Sequence, residues 1–237
     1  MRVYDIFRSI QGESTRAGLP MDFVRLAGCD LKCTYCDTAA ARDFAAGRDM
    51  TVAEVLAAVG TAADPDAAVE AARADAAGRP AAPLEWLEIT GGEPAHQAAQ
   101  VNALVAALID SGRKVMIETN GAHPIDLFDP RAVRIVDVKT PGSGMADRNC
   151  WRNLNLLAPQ DEVKFVLTGR ADYEWAKGVL SRHGLAGGSA KSAAGRAAVL
   201  FGPAAPGLDA RALAEWIVAD ALPVRLNLQW HKVLNMP

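Results

Sequence analysis

Short apolar runs rich in β-branched residues recur along the chain and alternate with longer stretches of helical periodicity. The apolar runs predict strands at residues 22–27, 85–90, 114–118, 134–138, 162–167 and 197–201, with 225–228 as a candidate edge strand. The periodic stretches predict helices at residues 51–59, 95–111, 172–182 and 209–220, and in the first of them Thr51 and Glu54 have capping-box spacing. This alternation predicts an α/β fold with parallel strands, and about six such strands are fewer than a complete eight-stranded barrel contains.

Two segments interrupt the alternation. Residues 61–83 are dominated by Ala and Asp and have little large-apolar periodicity, which predicts a partly helical surface insertion without chemistry. Residues 184–195 contain Gly-Gly-Ser-Ala-Lys-Ser and are typical of a flexible loop. A chain of 237 residues without an internal repeat suits a single domain.

Composition and charge argue against several classes of protein. Half of the residues are hydrophobic and 22% are charged, which is ordinary for a globular chain with a sizeable core. The formal net charge is −3 with Lys and Arg spread along the chain, whereas a nucleic-acid-binding protein needs a basic face. No apolar run approaches the roughly 18 residues that span a bilayer, and the first residues lack the apolar stretch of a secretory signal. We therefore expect a soluble, cytoplasmic protein without a nucleic-acid or membrane partner.

Three of the four cysteines, Cys29, Cys33 and Cys36, form a CxxxCxxC cluster. Thiolates are soft ligands that suit Fe–S clusters and zinc. Three of them on one loop can hold three irons of a cubane, which leaves the fourth iron open to a chelating small molecule. A zinc site or a four-ligand ferredoxin-like cluster is the alternative, although the remaining cysteine, Cys150, lies far downstream in a polar loop.

Glycines and polar residues follow the predicted strands. The cysteine loop follows the strand at 22–27, and Gly91-Gly92-Glu93-Pro94 follows the strand at 85–90. Glycines let a ligand approach the backbone and Glu93 can accept from an ammonium group, although a plain strand-to-helix turn with Pro94 at the first helical position is the alternative. Residues 118–121 and 137–144 follow the next two strands. The carboxyl ends of parallel strands meet at one mouth of a barrel, so we expect these segments to share one rim.

The cysteine spacing, with Tyr35 as the aromatic residue before the last cysteine, and the Gly91–Pro94 segment resemble the radical S-adenosylmethionine (SAM) superfamily. The resemblance implies that the open iron binds the amino and carboxylate groups of SAM. The resemblance implies a partial (β/α)6-type TIM-like barrel, in a single radical SAM domain over residues 1–237 with the Ala-rich insertion near 61–83. It implies a [4Fe–4S] cluster on Cys29, Cys33 and Cys36 that reduces bound SAM. The SAM contacts that it implies are Tyr35, Gly91, Gly92, Glu93, Glu118, Asn120 and Ser143. Residues 201–206 lack the glutamine expected of a late SAM contact.

Three further segments are similar to the 7-carboxy-7-deazaguanine synthase family: residues 6–14 (Ile-Phe-Arg-Ser-Ile-Gln-Gly-Glu-Ser), 36–38 (Cys-Asp-Thr) and 226–232 (Leu-Asn-Leu-Gln-Trp-His-Lys). This resemblance implies a radical SAM carbon–nitrogen lyase that converts 6-carboxy-5,6,7,8-tetrahydropterin into 7-carboxy-7-deazaguanine with loss of ammonia, in queuosine and 7-deazapurine biosynthesis. It also implies bound Mg²⁺, a homodimer, and an external electron donor of the flavodoxin or ferredoxin type.

By the same resemblance Thr38 is a Mg²⁺ ligand, and the substrate contacts are Gln11, Gly12, Glu13, Arg25, Thr90, His231 and Pro237. Their chemistry is consistent with a pterin: Gln11 and Glu13 can meet its guanidine-like edge of N–H donors, and the Arg25 guanidinium can meet its carboxylate. The alternatives are a helix N-cap for Thr38 and a solvated or packed side chain for His231.

Two other functions stay open. A radical SAM activating enzyme, which makes a glycyl radical on a partner protein, would need a surface for a protein loop instead of Arg25, Glu13 and His231 converging on a small anion. A non-catalytic Fe–S or zinc module would have a closed metal site and would not form 5′-deoxyadenosine from SAM.

Overall fold

The computed structural model describes residues 1–60, 83–185, 197–205 and 207–237. Its strands are β1 (Arg2–Ile10), β2 (Pro20–Leu26), β3 (Arg48–Asp49), β4 (Trp86–Gly91), β5 (Lys114–Thr119), β6 (Val133–Asp137), β7 (Glu162–Leu167), β8 (Ala198–Pro203) and β9 (Arg225–Leu226). Its α-helices are α1 (Val52–Ala58), α2 (Ala98–Asp110), α3 (Arg170–Arg182), α4 (Ala210–Ala219) and α5 (Trp230–Val233). Nearly all of the predicted 61–83 insertion and of the predicted 184–195 loop lies outside the described residues.

The strands of this described part form one sheet in the order β3-β1-β2-β4-β5-β6-β7-β8-β9. From β2 to β9 each neighbouring pair is parallel. All seven predicted strands are present, and β7 has the predicted bounds at both ends. The prediction of an α/β fold with a parallel sheet is therefore confirmed.

Strands β1 and β3 were not predicted. β1 pairs antiparallel with β2 and with β3, and it carries Arg2, Asp5 and Arg8 among its apolar residues. Most of its side chains are partly or fully exposed, whereas a strand in the middle of a parallel sheet is buried on both faces and reads as a near-continuous apolar run. Phe7 of β1 stacks on Phe23 of β2 with ring centroids 5.0 Å apart.

Helices α1 to α4 cover the outer face of the sheet in two groups. One apolar cluster joins α1 and α2 to β2, β4 and β5, with Leu87, Ile89 and Leu104 fully buried. The other joins α3 and α4 to β7 and β8, around Phe165 and Tyr173. None of the described helices is long and apolar enough to cross a membrane.

The predicted capping box at the start of α1 is confirmed. The Thr51 hydroxyl accepts from the Glu54 backbone N–H at 3.2 Å, and the Glu54 carboxylate accepts from the Thr51 backbone N–H at 2.7 Å. Both contacts satisfy backbone donors that lack a partner inside the helix.

Replacing Thr51 with Ala should therefore lower the free energy of unfolding by about 1 kcal/mol, because one N-terminal donor loses its acceptor. Urea denaturation followed by circular dichroism measures the change. Thr51→Ser, which keeps the hydroxyl, is the matched control, and equal losses in both variants would contradict a capping role.

Candidate active site

Side chains alternate across the sheet, and this alternation supplies polar groups to its inner face. On β4, Leu87 and Ile89 pack under the helices while Glu88 and Thr90 line a cavity on the opposite face. On β7 the same alternation places Lys164 in the cavity between neighbours that pack outward. A two-residue period in a strand requires this division. Ionisable residues therefore lie on the cavity-facing side of the sheet, and their neighbours along each strand are buried apolar residues on the other side.

This central cavity has a volume of about 200 Å³. Of the residues that the sequence singled out, those that line it are Gln11, Gly12, Glu13, Arg25, Cys29, Cys33, Tyr35, Cys36, Thr38, Thr90, Gly91, Gly92, Glu118, Asn120, His231 and Pro237. The two that do not are Glu93 and Ser143. Segments far apart in the chain thus converge on one space at the carboxyl ends of the parallel strands.

The cysteine loop enters the cavity directly after β2. Cys29, Cys33 and Cys36 are half-buried, and their thiols are free. Cys150 is also free, but it is not among the described residues that line the cavity. Three thiols on one wall, without a fourth cysteine among the described lining residues, fit a cubane that keeps one iron for a small-molecule ligand.

Gly91 and Gly92 allow β4 to approach the start of the cysteine loop. Gly91 has φ +124°, and a Cβ there would lie 2.3 Å from the Leu26 backbone nitrogen. A Cβ at Gly92 would lie 2.1 Å from the Gly28 carbonyl oxygen. The backbone N–H of Gly92 donates to Leu26 at 2.8 Å. The neighbouring strand therefore requires glycine here, whether or not a ligand also approaches.

Glu93 is buried and binds the protein itself. Its carboxylate accepts from the Ala95 N–H at 2.9 Å, the Thr119 hydroxyl at 2.7 Å and the Asn120 N–H at 2.7 Å. Burial raises its pKa, against the opposing effect of these hydrogen bonds. Sequence reasoning expected this carboxylate to face SAM, whereas its described contacts join the ends of β4 and β5.

The described contacts of Ser143 are also within the protein. Its hydroxyl donates to the Thr140 carbonyl at 2.6 Å and accepts from the Met145 N–H at 3.0 Å. Its carbonyl accepts from the Thr34 N–H at 3.1 Å, inside the cysteine loop. Ser143 thus connects the segment after β6 to the cysteine loop and is fully buried.

Thr38 precedes a short 3-10 helix, Ala39–Arg42, at its N-cap position. Its side chain makes no capping hydrogen bond, so the alternative role as a side-chain N-cap is not supported. The hydroxyl lies 3.8 Å from the Cys36 sulfur and lines the cavity. A hydroxyl oxygen beside the cysteine loop is therefore available for a hard cation.

The C-terminal helix α5 closes the cavity against the segment after β1. The Trp230 N–H donates to the Gly12 carbonyl at 2.9 Å. A Cβ at Gly12 would lie 1.8 Å from His231 Nδ1, so only glycine leaves room for this ring. Burial lowers the pKa of His231, and the imidazole is therefore neutral at pH 7.

Sequence similarity to known proteins identifies the family of this chain. The family model described as "4Fe-4S single cluster domain" matches residues 10–142. A 7-carboxy-7-deazaguanine synthase of Chlorobaculum tepidum is 39% identical over 100% of this chain and 95% of its own length. One of Koribacter versatilis is 37% identical over 100% and 98% of the two chains. The chain belongs to the 7-carboxy-7-deazaguanine synthase family.

The fold of this synthase family member also matches a solved structure. The crystal structure of QueE from Escherichia coli superposes with a TM-score of 0.67 at 20% identity, covering 96% of this chain and 93% of that chain. Together with the 4Fe–4S match, membership makes the chain a radical SAM enzyme of the lyase type, with a [4Fe–4S] cluster and SAM as cofactors. The predicted family, fold and cofactor class are confirmed.

Sequence reasoning missed several polar residues of the synthase cavity. Lys164 of β7, Glu88 of β4 and Gln229 before α5 all line it. The signal was available for two of them, because a Lys and a Glu interrupt the apolar strands Glu162–Leu167 and Trp86–Gly91 at inward positions. Gln229 lies in the segment 226–232 that is similar to the synthase family, but no strand pattern marked it, since it follows a two-residue edge strand.

Asp30, next to Cys29, is the centre of another cluster that was not predicted. Its carboxylate lies 3.2 Å from His96 Nε2 and 3.3 Å from His123 Nε2, and it accepts from Arg148 at 2.9 Å. These three cationic or neutral donors already surround one carboxylate, so we assign no cation to it. Asp30 also contacts the Asn120 amide at 3.4 Å, which places that amide 3.6 Å from the Cys29 sulfur. Such outer contacts orient the groups around a cluster sulfur.

Proposed function

We propose that this chain converts 6-carboxy-5,6,7,8-tetrahydropterin into 7-carboxy-7-deazaguanine with loss of ammonia, within a single radical SAM domain. One observation carries the assignment: a cationic residue, Arg25, and an anionic residue, Glu13, line the same cavity as the three cluster thiols. The substrate has a carboxylate at one end and an edge of N–H donors at the other, which is the complement of this pair.

The three cysteines hold the cluster, and Tyr35, Gly91, Gly92, Glu118 and Asn120 are proposed as SAM contacts. Glu93 and Ser143 are also proposed as SAM contacts, and their described hydrogen bonds hold them in place within the protein. When bound, the cluster and SAM supply the one-electron chemistry that starts the ring contraction. The chain contributes by binding, orienting the substrate and excluding water.

Arg25 has a buried N–H donor that a bound anion can satisfy. Its Nε is buried and has no hydrogen-bond partner among the described residues, and its guanidinium lies 5.0 Å from the centre of the Phe7 ring. A buried unpaired donor is costly in a free protein and is satisfied when an acceptor binds. We therefore assign the substrate carboxylate to Arg25.

Glu13 and its neighbours are assigned to the opposite edge of the pterin. Gln11, Gly12, Thr90 and Pro237 complete this set of substrate contacts, as expected from the resemblance. His231 is proposed to touch the substrate and to carry a proton at a ring nitrogen, because its lowered pKa leaves it neutral and able to accept one.

Thr38 is proposed as the protein ligand of Mg²⁺. Its hydroxyl lines the cavity without a capping hydrogen bond. Mg²⁺ commonly keeps several waters, so one protein oxygen together with the substrate carboxylate is a sufficient set.

A homodimer and an external flavodoxin- or ferredoxin-type donor are proposed as partners. A homodimer would cover the exposed apolar side chains near the C-terminus, which are Leu226, Trp230, Val233, Leu234 and Met236. Exposed Lys32 within the cysteine loop supports approach of an acidic electron donor. Analytical ultracentrifugation tests the first proposal, and reduction by each donor class tests the second.

Anaerobic reconstitution followed by assay with SAM, dithionite, Mg²⁺ and the carboxypterin tests the reaction. We expect 7-carboxy-7-deazaguanine to form without any partner protein. Cleavage of SAM without this product would favour the activating-enzyme alternative. Absence of 5′-deoxyadenosine, with only zinc bound, would favour the non-catalytic module.

Replacing Gly12 with Ala should raise KM for the pterin about tenfold, or about 1.4 kcal/mol, because the new methyl displaces the His231 ring. Steady-state kinetics of product formation measure the change. Gly178→Ala is the control, since nothing lies within 4 Å of a Cβ there. An unchanged KM in the Gly12 variant would contradict the proposed role of the His231 position.

A further inference from the structure

Lys164 is a buried cation clamped between two carboxylates on the cavity floor. Its Nζ donates to Glu13 Oε2 at 2.8 Å and also contacts Glu118 Oε1. Only 5% of Lys164 is exposed. The two carboxylates come from the segment after β1 and from β5, so one ammonium joins three parts of the chain.

The Glu13 carboxylate is held from several sides. Its Oε1 accepts from the Gln229 amide at 2.7 Å, and its Oε2 also accepts from the Asn227 amide at 3.2 Å. Its backbone N–H donates to Gln11 Oε1 at 2.9 Å, and the Gln11 amide in turn donates to Glu88. The carboxylate still lines the cavity, with 16% of its side chain exposed. It is therefore fixed in place and remains accessible to a ligand.

We propose that Lys164 is a positioning residue for the pterin: it keeps the Glu13 carboxylate ionised and aimed, so that this carboxylate can accept from the N–H edge of the substrate. This inference rests on the proposed function and adds to it a residue outside the substrate contacts. A buried Lys is costly unless it is paired, and here both of its partners face the cavity.

The charges around Glu13 explain why a cation is needed. Burial opposes its ionisation, and the charge and hydrogen bond of Lys164, together with the Gln229 hydrogen bond, outweigh burial and lower the pKa of Glu13. The other charged or titratable groups facing it are Asp37, Glu88, Glu118 and His231. Three of these four are acids.

Without Lys164, burial and these acids should raise the pKa of Glu13 above its ordinary value. A carboxylate with a raised pKa becomes protonated as the pH falls through that pKa. Binding that depends on the ionised form therefore weakens at lower pH. With Lys164 in place, the pKa is below its ordinary value, and Glu13 stays ionised throughout the range from about pH 8 to about pH 6.

Anaerobic calorimetry of carboxypterin binding to the oxidised holoenzyme, with SAM and Mg²⁺ but without a reductant, tests the inference free of turnover. In Lys164→Met we expect the Kd for the pterin at pH 7 to be about 30-fold higher than in the wild type. When the pH is lowered from 8 to 6, the Kd of the variant should also rise by a factor about tenfold larger than the Kd of the wild type does. Affinity for SAM should fall by much less than the affinity for the pterin, although Glu118, a proposed SAM contact, also loses Lys164 as a partner. Lys164→Arg should recover most of the affinity and the wild-type pH profile.

The control is Lys177→Met, which removes a partly exposed lysine that pairs with Glu174 and Asp220 on the helical side. It should bind the pterin as the wild type does. An unchanged Kd in Lys164→Met would overturn the inference. Equal losses of SAM and pterin binding with a wild-type pH profile would overturn it as well, because they would indicate a structural role.

A titration of Glu13 separates this inference from the proposed function. The pKa is measured from the ¹³Cδ signal in glutamate-labelled holoenzyme, with Glu13→Gln assigning the signal, and it needs no substrate. A higher pKa in Lys164→Met supports the positioning role, and an unchanged pKa overturns it. If the wild type neither binds nor converts the carboxypterin, the proposed function fails, and the titration still decides whether Lys164 controls Glu13.

Discussion

Cys33→Ala should reduce product formation to background, whereas Cys150→Ala should leave it unchanged. Cys33 is one of three thiols on the cavity wall, while Cys150 does not line the cavity among the described residues. Loss of groups that merely orient metal ligands already costs about 10- to 100-fold, so loss of a ligand should cost more than about 1,000-fold. Product formation and SAM cleavage, assayed with iron and sulfide content after anaerobic reconstitution, measure the effect.

This pair of variants separates a three-ligand cluster from a closed site. If Cys150 supplied a fourth ligand, its replacement would lower iron content as much as the replacement of Cys33. Full iron content in Cys33→Ala would contradict the assignment of the cluster to this loop.

The second large effect is expected at Arg25. Arg25→Met should lower kcat/KM for the carboxypterin by about 100-fold, or about 2.7 kcal/mol, mainly through KM, because the substrate carboxylate loses its cation. Thermal stability should change little, because the buried Nε has no hydrogen-bond partner to lose among the described residues. Steady-state kinetics and a thermal melt measure the two quantities.

Arg211→Met is the matched control for Arg25. Arg211 lies on the exposed face of α4, where it pairs with Glu215. Its replacement should leave kcat/KM within about twofold, because exposed ion pairs contribute little. An Arg25 variant with an unchanged KM would show that another group holds the substrate carboxylate.

The parallel strands could be predicted from sequence because each is an apolar run between turn signals. β7 was predicted with its observed bounds. β1 was missed because its half-exposed, antiparallel setting permits Asp5 and Arg8 inside the strand, which hides the apolar pattern. A continuous apolar run reveals a strand that is buried on both faces, whereas a partly exposed strand of mixed polarity gives no such signal.

The residues around the cavity were predictable where they follow a strand, since the carboxyl ends of parallel strands share one rim. The direction of Glu93 was not predictable, because it depends on donors from Thr119 and Asn120 on another strand. The pairing of Lys164 with Glu13 joins residues 151 positions apart and depends on the packing of the whole sheet. Local sequence carries no information about such a contact.

The contact between the segment after β1 and the segment before α5 has a consequence for synthesis of the protein. Ser14 donates its N–H to Asn227, which is 213 positions later in the chain. At translation rates of about 5–20 residues per second, the early segment emerges about 10–40 s before its partner is made. During that interval the cavity lacks the C-terminal segment that closes it. A cluster loaded on the ribosome would therefore enter an incomplete cavity, and oxygen could reach the three cysteine thiols throughout this time.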